Sequence, residues 1–331
     1  MNAAVIVRPV IVLGAPRSGT TILRNCLALH PELWHLPGES HDVLEGPFHP
    51  AAHHFESNRV TENELDDDLA KDLRRNFARR SINLNIATDK PGRTLGANSL
   101  TGRVIAKVGT RAAGATSMRS RPDEIRFLEK TPKNMLRVPM LERLFPDALY
   151  VHLTRDAPGN IRSLIGGWHA ADRFGPVVRQ RFARSGYRVA RQLDLQDYTS
   201  TWWKFALVPG WRDLHGKSIA DVAAWQYLQC NRFALDDLAA IEPARVRRVK
   251  HEDFVQEPVA MLRELFEWAE LPPSPLAESY AGELPRVNSV PAPAPDASRG
   301  PDAARGDSDA VDSAIASTRG IATLRLDLGY S

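Results

Sequence analysis

Short aliphatic runs alternate along this chain with longer stretches in which apolar side chains recur every three or four positions. Ile11, Val12 and Leu13 form a continuous apolar run, the pattern of a strand buried on both faces of a parallel sheet. A helical pattern follows through Ile22, Leu23, Cys26, Leu27 and Leu29. It stops at His30-Pro31, because proline cannot continue a helix and restricts the residue before it. Glu32–Pro37 predicts a short second strand. Leu65, Leu69, Leu73 and Phe77 recur every four residues and predict a packed helix within 62–87. Ile125–Leu128 and Leu149–Thr154 read as further strands, each followed by a helix, the first with Pro139 in its opening turn. A long amphipathic helix is predicted over 218–241, a strand at Val246–Val249, a helix over Pro258–Leu271, and helical pattern again over Val311–Leu328. Strands alternating with helices predict an α/β fold: three layers around a mainly parallel sheet, with helical additions.

Three stretches break the pattern. Residues 90–124, rich in Gly, Ala, Arg and Ser, read as a loop or lid, so 46–124 is expected to hold a lid or insertion within a main domain of residues 1–284. Residues 169–215 are irregular and cluster Trp202, Trp203 and Trp211, two of which are expected in the core and the third free to line an acceptor cavity. Residues 285–310 shift to Pro, Ala, Asp, Arg and Ser and predict a linker or surface loop. That leaves 311–331 as a C-terminal helix packed on the same domain.

Composition narrows the function. The chain has 331 residues, 43% hydrophobic and 25% charged, enough for a large core. A net charge of +3 makes no demand for nucleic acid as a partner. The cations are mostly Arg, whose planar fork suits phosphate or sulfate. Cys26 and Cys230 give no disulfide framework, and no His, Cys and carboxylate cluster has metal-ligand spacing, so no metal is expected. The apolar run Ala3–Val7 is too short for a signal peptide and is broken by Arg8-Pro9. No run of about 18 apolar residues predicts a membrane span. A soluble, cytoplasmic protein is the expectation, with a homodimer left open.

The chemistry gathers at strand ends. Gly14-Ala15-Pro16-Arg17-Ser18-Gly19-Thr20-Thr21 joins the first strong strand to its helix, where backbone N–H groups and a helix dipole can hold an anion. Its spacing is nearly that of a Walker A loop, G-x-x-x-x-G-K-[ST], but Thr20 stands where the Lys belongs and the cation is Arg17. That loss argues against triphosphate hydrolysis and leaves binding of a single 5′-phosphate intact. The strand Leu149–Thr154 ends on Arg155-Asp156, and Ser163 lies about two turns into the helix that follows, a second anion pocket. Ligands of open α/β sheets sit beyond the carboxyl ends of strands, which puts Glu39, in Gly38-Glu39-Ser40-His41, near the first loop.

Taken in order, these stretches resemble the sulfotransferases that use 3′-phosphoadenosine 5′-phosphosulfate (PAPS), in their bacterial branch. Gly14–Thr21 resembles their 5′-phosphosulfate loop, and Thr154-Arg155-Asp156 with Ser163 their 3′-phosphate motif. Glu129-Lys130-Thr131-Pro132, Val249–Phe254 with Pro258, and weakly the terminal Leu328-Gly329-Tyr330 look like further family stretches. The resemblance implies a P-loop-type nucleotide-binding core. It implies that Arg17, Ser18, Gly19, Thr20 and Thr21 cradle the 5′-phosphosulfate and that Arg155 and Ser163 hold the 3′-phosphate. The catalytic residues it implies are Glu39 as base, Lys130 at the leaving-group oxygen and Arg17. His41 ranks second as base, although a surface loop position is the stronger expectation for it. Asp42 and Glu45 are expected to be solvated. Lys130 has an alternative partner in Glu129, Arg155 in Asp156, and Glu252-Asp253 reads as structural. The family's C-terminal Arg-Lys-Gly segment is missing, with Arg286 and Arg299 as weak substitutes. The expected reaction is in-line transfer of a sulfuryl group to a hydroxyl or amine of a small-molecule, sugar or lipid acceptor, leaving 3′-phosphoadenosine 5′-phosphate (PAP). A P-loop small-molecule kinase and a non-catalytic nucleotide-binding protein are the competing readings.

Overall fold

A computed structural model describes residues 4–84, 121–173, 187–284 and 301–331. Its centre is Val10–Leu13 (β2), buried at all four positions. Two parallel neighbours flank it. Glu124–Lys130 (β4) pairs on one side with Val10 opposite Leu128, and Leu149–Thr154 (β5) on the other with Leu13 opposite His152. Leu33–His35 (β3) and the two-residue Val5–Ile6 (β1) pair with β4, and Val246–Lys250 (β6) closes the far side against β5. All six strands are parallel, so β2, β4, β5 and β6 end at the same sheet edge. The outer strand β6 carries Arg247, Arg248 and Lys250, charges that discourage edge-to-edge pairing.

Alternation along β2 splits its side chains between two cores. Ile11 and Leu13 pack with Phe127, Tyr150, Leu136, Leu141 and Phe77, while Val10 and Val12 pack with Leu23, Cys26, Leu27, Phe254, Leu262 and Phe266. The first layer draws on Asp67–Arg80 (α3), Val138–Leu144 (α4) and Ile219–Leu238 (α6). The second draws on Thr20–Leu27 (α1), His251–Gln256 (α7), Pro258–Trp268 (α8) and Pro275–Gly282 (α9). His41–Leu44 (α2) follows β3, and Ala157–Arg173 (α5) follows β5.

Several expectations shift. The helix sought within 62–87 is α3, started by Asp66, whose carboxylate caps Leu69 N at 2.8 Å. Within the stretch expected to hold a lid or insertion, Phe48, Val60, Leu65, Leu73 and Phe77 are buried in the first core. Residues 85–120, which hold most of the expected lid, lie outside the described residues, as do 174–186 and 285–300. The expected linker is overtaken at its end by a helix, Pro301–Ser317 (α10). Proline suits a first helical turn and alanine is a strong helix former, and Val311 and Ala314 are buried. The C-terminal helical pattern is two helices, because Gly320 (φ 102°) breaks the chain before Ile321–Asp327 (α11). Trp203 and Trp211 are core, and Trp202 is partly exposed with the Arg188 guanidinium 4.8 Å from its ring centroid. Among the described residues, no helix is long and apolar enough to cross a membrane.

Candidate active site

The turn between β2 and α1 is shaped by left-handed backbone at Arg17 (φ 71°) and Gly19 (φ 101°). Turns of this kind aim successive N–H groups into one concavity. Helix α1 adds its positive end there, and its first turn has neither a side-chain cap nor an acidic residue to satisfy it. The glycines are set by close approach. A Cβ on Gly14 would lie 2.6 Å from Ser18 Oγ and 2.8 Å from the Leu153 carbonyl oxygen, and one on Gly19 would run into the His251 ring. Ser18 Oγ and His251 Nδ1 are both buried with no hydrogen-bond partner. Burial, then the nearby Arg155 charge, holds the His251 imidazole below its ordinary pKa.

The second anion motif folds onto the first. Arg17 Nε donates to Ser163 Oγ at 3.3 Å, and Arg155 Nη1 donates to the Arg17 carbonyl oxygen at 3.1 Å. Among the described residues, neither guanidinium has a carboxylate within 4 Å. Desolvation, then the neighbouring Arg155, pushes the Arg17 pKa down, and desolvation lowers that of Arg155. The expected alternative, an Arg155–Asp156 pair, does not form. Asp156 is held on both oxygens by Arg325 of α11, at 2.8 and 3.0 Å.

The third part lies at the ends of β3 and β4. Lys130 Nζ sits 2.5 Å from Glu39 Oε1 and 3.3 Å from Thr21 Oγ1, so it joins the carboxylate to the start of α1. Its alternative partner Glu129 faces elsewhere. That carboxylate is buried, accepts from Ser40 Oγ at 2.7 Å and Asn134 Nδ2 at 3.0 Å, and burial pushes its pKa up. Burial would raise Glu39 too, but the Lys130 charge and a hydrogen bond from His41 Nε2, at 2.9 Å, hold it well below the usual carboxylate range.

Two expectations fail here. His41 is no loose surface residue, since its side chain is 16% exposed and bridges two carboxylates, with Nδ1 3.8 Å from Glu45 Oε1. Burial opposes its charge, yet the contacts to Glu39 and Glu45 raise its pKa on balance. Glu45 is not solvated either. It accepts from Arg137 Nη2 at 2.9 Å, Lys133 Nζ at 3.2 Å and Tyr187 Oη at 2.7 Å. Burial resists its charge and these partners overcome that, holding the carboxyl far below its ordinary value. Burial in turn pushes the Lys133 amine down to about 8. Asp42 is exposed, as expected.

A parallel α/β sheet whose central strand ends in a phosphate-loop turn puts this protein in the P-loop-like class. Residues 9–170 match the model described as the Sulfotransferase family, a stretch that includes Gly14–Thr21, Glu39, Lys130, Arg155 and Ser163. That match, over about half of the chain, supports a sulfotransferase family. No curated protein matches the chain. Among solved structures it is similar to the sulfotransferase domain from the curacin biosynthetic pathway, at 16% identity over 98% of each chain and a TM-score of 0.43. It is also similar to a sulfotransferase from Alicyclobacillus acidocaldarius, at 14% identity over 98% of this chain and 97% of that one, TM-score 0.43. A mouse sulfotransferase complexed with PAP is similar at 8% identity over 97% of this chain and 89% of that one, TM-score 0.33.

Proposed function

We propose that this protein transfers a sulfuryl group from PAPS to a hydroxyl or amine of a small-molecule, sugar or lipid acceptor. The observation that carries the reading is the convergence of Arg17, Arg155 and Ser163 beside the uncapped start of α1. Two guanidiniums drawn together with, among the described residues, no carboxylate within 4 Å of either are stabilised by a polyanion. The orphaned Ser18 Oγ and the concavity between Arg17 and Gly19 fit such a group.

In this reading the loop N–H groups, Arg17, Ser18, Thr20 and Thr21 take the 5′-phosphosulfate, and Arg155 with Ser163 takes the 3′-phosphate. The donor supplies an activated sulfuryl group. Glu39 accepts the acceptor's proton as the new bond to sulfur forms, and the bond between sulfur and the phosphate oxygen breaks. Lys130, within reach of both Glu39 and Thr21, meets the charge that grows on that departing oxygen. His41 orients the carboxylate through Oε2. Such catalysis rests on alignment and charge, with little covalent work by the protein.

The reading makes 3′-phosphate recognition a property of Arg155. In calorimetric titrations, Arg155→Ala is expected to weaken PAP binding about 10–100-fold, the worth of a hydrogen bond to a charged group, and to leave AMP binding nearly unchanged. Equal losses for the two nucleotides would remove Arg155 from that role.

A further inference from the structure

The turn that projects Arg155 is gripped by a part of the chain that the reaction does not use. Arg248, Lys250 and Glu252 follow one another at two-residue spacing along β6 and into α7. Each meets the last residues of the chain. Arg248 Nη1 donates to the Asp327 carbonyl oxygen at 2.8 Å, Lys250 Nζ to the Gly329 carbonyl oxygen at 2.6 Å, and Tyr330 Oη to Glu252 Oε2 at 2.9 Å. Lys250 Nζ also lies 4.9 Å from the centroid of the Tyr330 ring. A C-terminal strap therefore runs along the outer edge of the sheet and ends beside the phosphate motifs.

From there it holds the residues on either side of Arg155. Tyr330 Oη is 3.2 Å from Thr154 Oγ1, the last side chain of β5. Glu252, the carboxylate that Tyr330 engages, accepts from Asp156 N at 3.2 Å. Arg325 takes both oxygens of Asp156, and Tyr227 Oη donates to the Arg155 carbonyl oxygen at 3.1 Å. Residues 154, 155 and 156 are each fixed by a side chain from a distant element, and only the Arg155 guanidinium is left to reach forward to the loop. A forked guanidinium meets a phosphate productively only from a fixed base, because small displacements cost both orientation and hydrogen-bond geometry.

We propose that the C-terminal strap, residues 325–331, is a positioning device for Arg155, so that affinity for a 3′-phosphate depends on Tyr330 acting through Glu252 and Thr154. This rests on Arg155 being the 3′-phosphate contact.

The test uses the full chain, PAP and AMP as probes, and calorimetry, with melting temperature as the check on folding. Wild type should prefer PAP, and Arg155→Ala should erase the preference; absence of either result sinks the underlying reading and not merely the strap. With both in place, Tyr330→Phe, which keeps the ring over Lys250 and removes only the hydroxyl, should weaken PAP binding roughly threefold to tenfold, with AMP binding unchanged. Tyr330→Ala should lose more of the same preference. Wild-type preference retained in Tyr330→Phe, or equal losses for PAP and AMP, overturns the proposal. If Tyr330→Ala does not fold, Tyr330→Phe alone decides.

Discussion

Glu39→Gln is expected to bind PAP as tightly as the wild type and to lose about 10²–10⁴-fold in kcat, the usual worth of a general base. The substitution keeps the shape of the side chain and its contact with His41 but removes the carboxylate proposed to take the proton. Lys130 loses one partner and keeps Thr21. Because Lys130 and His41 hold the Glu39 carboxyl well below its usual range, it is ionised throughout the neutral region. Any loss of kcat/KM between about pH 8 and pH 5 therefore belongs to another group, since an unperturbed carboxylate titrates near 4. Steady-state rates with PAPS and a responsive acceptor check the first point, and calorimetry with PAP the second. Turnover retained in Glu39→Gln would remove Glu39 as the base.

Glu45→Ala carries the largest expected effect on stability, about 3–5 kcal/mol by denaturant unfolding. The Glu45 side chain is 13% exposed, and the Lys133 and Arg137 side chains only 3% and 0%. Removing the carboxylate leaves two buried cations without a counter-charge and the Tyr187 O–H without its acceptor, while Asn58 and Lys133 still donate to the Tyr187 oxygen. Its folded-state pKa is depressed, so the stability it contributes is present above the unfolded value near 4.3 and is lost as pH falls below that. Glu45→Gln should flatten the acid side of the stability profile as well as lower its plateau. A loss under about 1 kcal/mol for Glu45→Ala would mean that Glu45 behaves as a solvated carboxylate after all.

The difference between Glu39 and Glu45 shows what the sequence could reveal. The placement of Gly14–Thr21, Arg155 and Ser163 at strand ends is legible in local spacing: glycines that bound a turn, and a serine about two turns beyond a strand-end arginine. The nearness of Glu39 to the first loop is legible because strand ends gather at one edge of a parallel sheet. Glu45 carries no such mark. Its partners Lys133, Arg137 and Tyr187 come from 88, 92 and 142 residues away and are brought together only by tertiary packing. The Arg325–Asp156 pair spans 169 residues and was hidden for the same reason, as was the bridging place of His41. The helix Pro301–Ser317 begins inside the expected linker, because the Pro, Ala, Asp and Arg content of 301–310 is also that of a linker. His251 had one usable signal, its place just after a strand among charged residues, and its contact with Gly19 needs the three-dimensional arrangement.

We propose that the two arginine motifs and the uncapped helix form a site for a 3′,5′-bisphosphorylated nucleotide. The most direct measurement follows the melting temperature of the purified protein against PAP and, separately, against ATP with Mg²⁺. A ligand that binds the folded state alone raises it by mass action, about 2.7 kcal/mol of stabilisation at 100 times Kd. A dose-dependent rise with PAP, and little or none with ATP–Mg²⁺, is the predicted result. Stabilisation by ATP–Mg²⁺ without stabilisation by PAP would rule out that site.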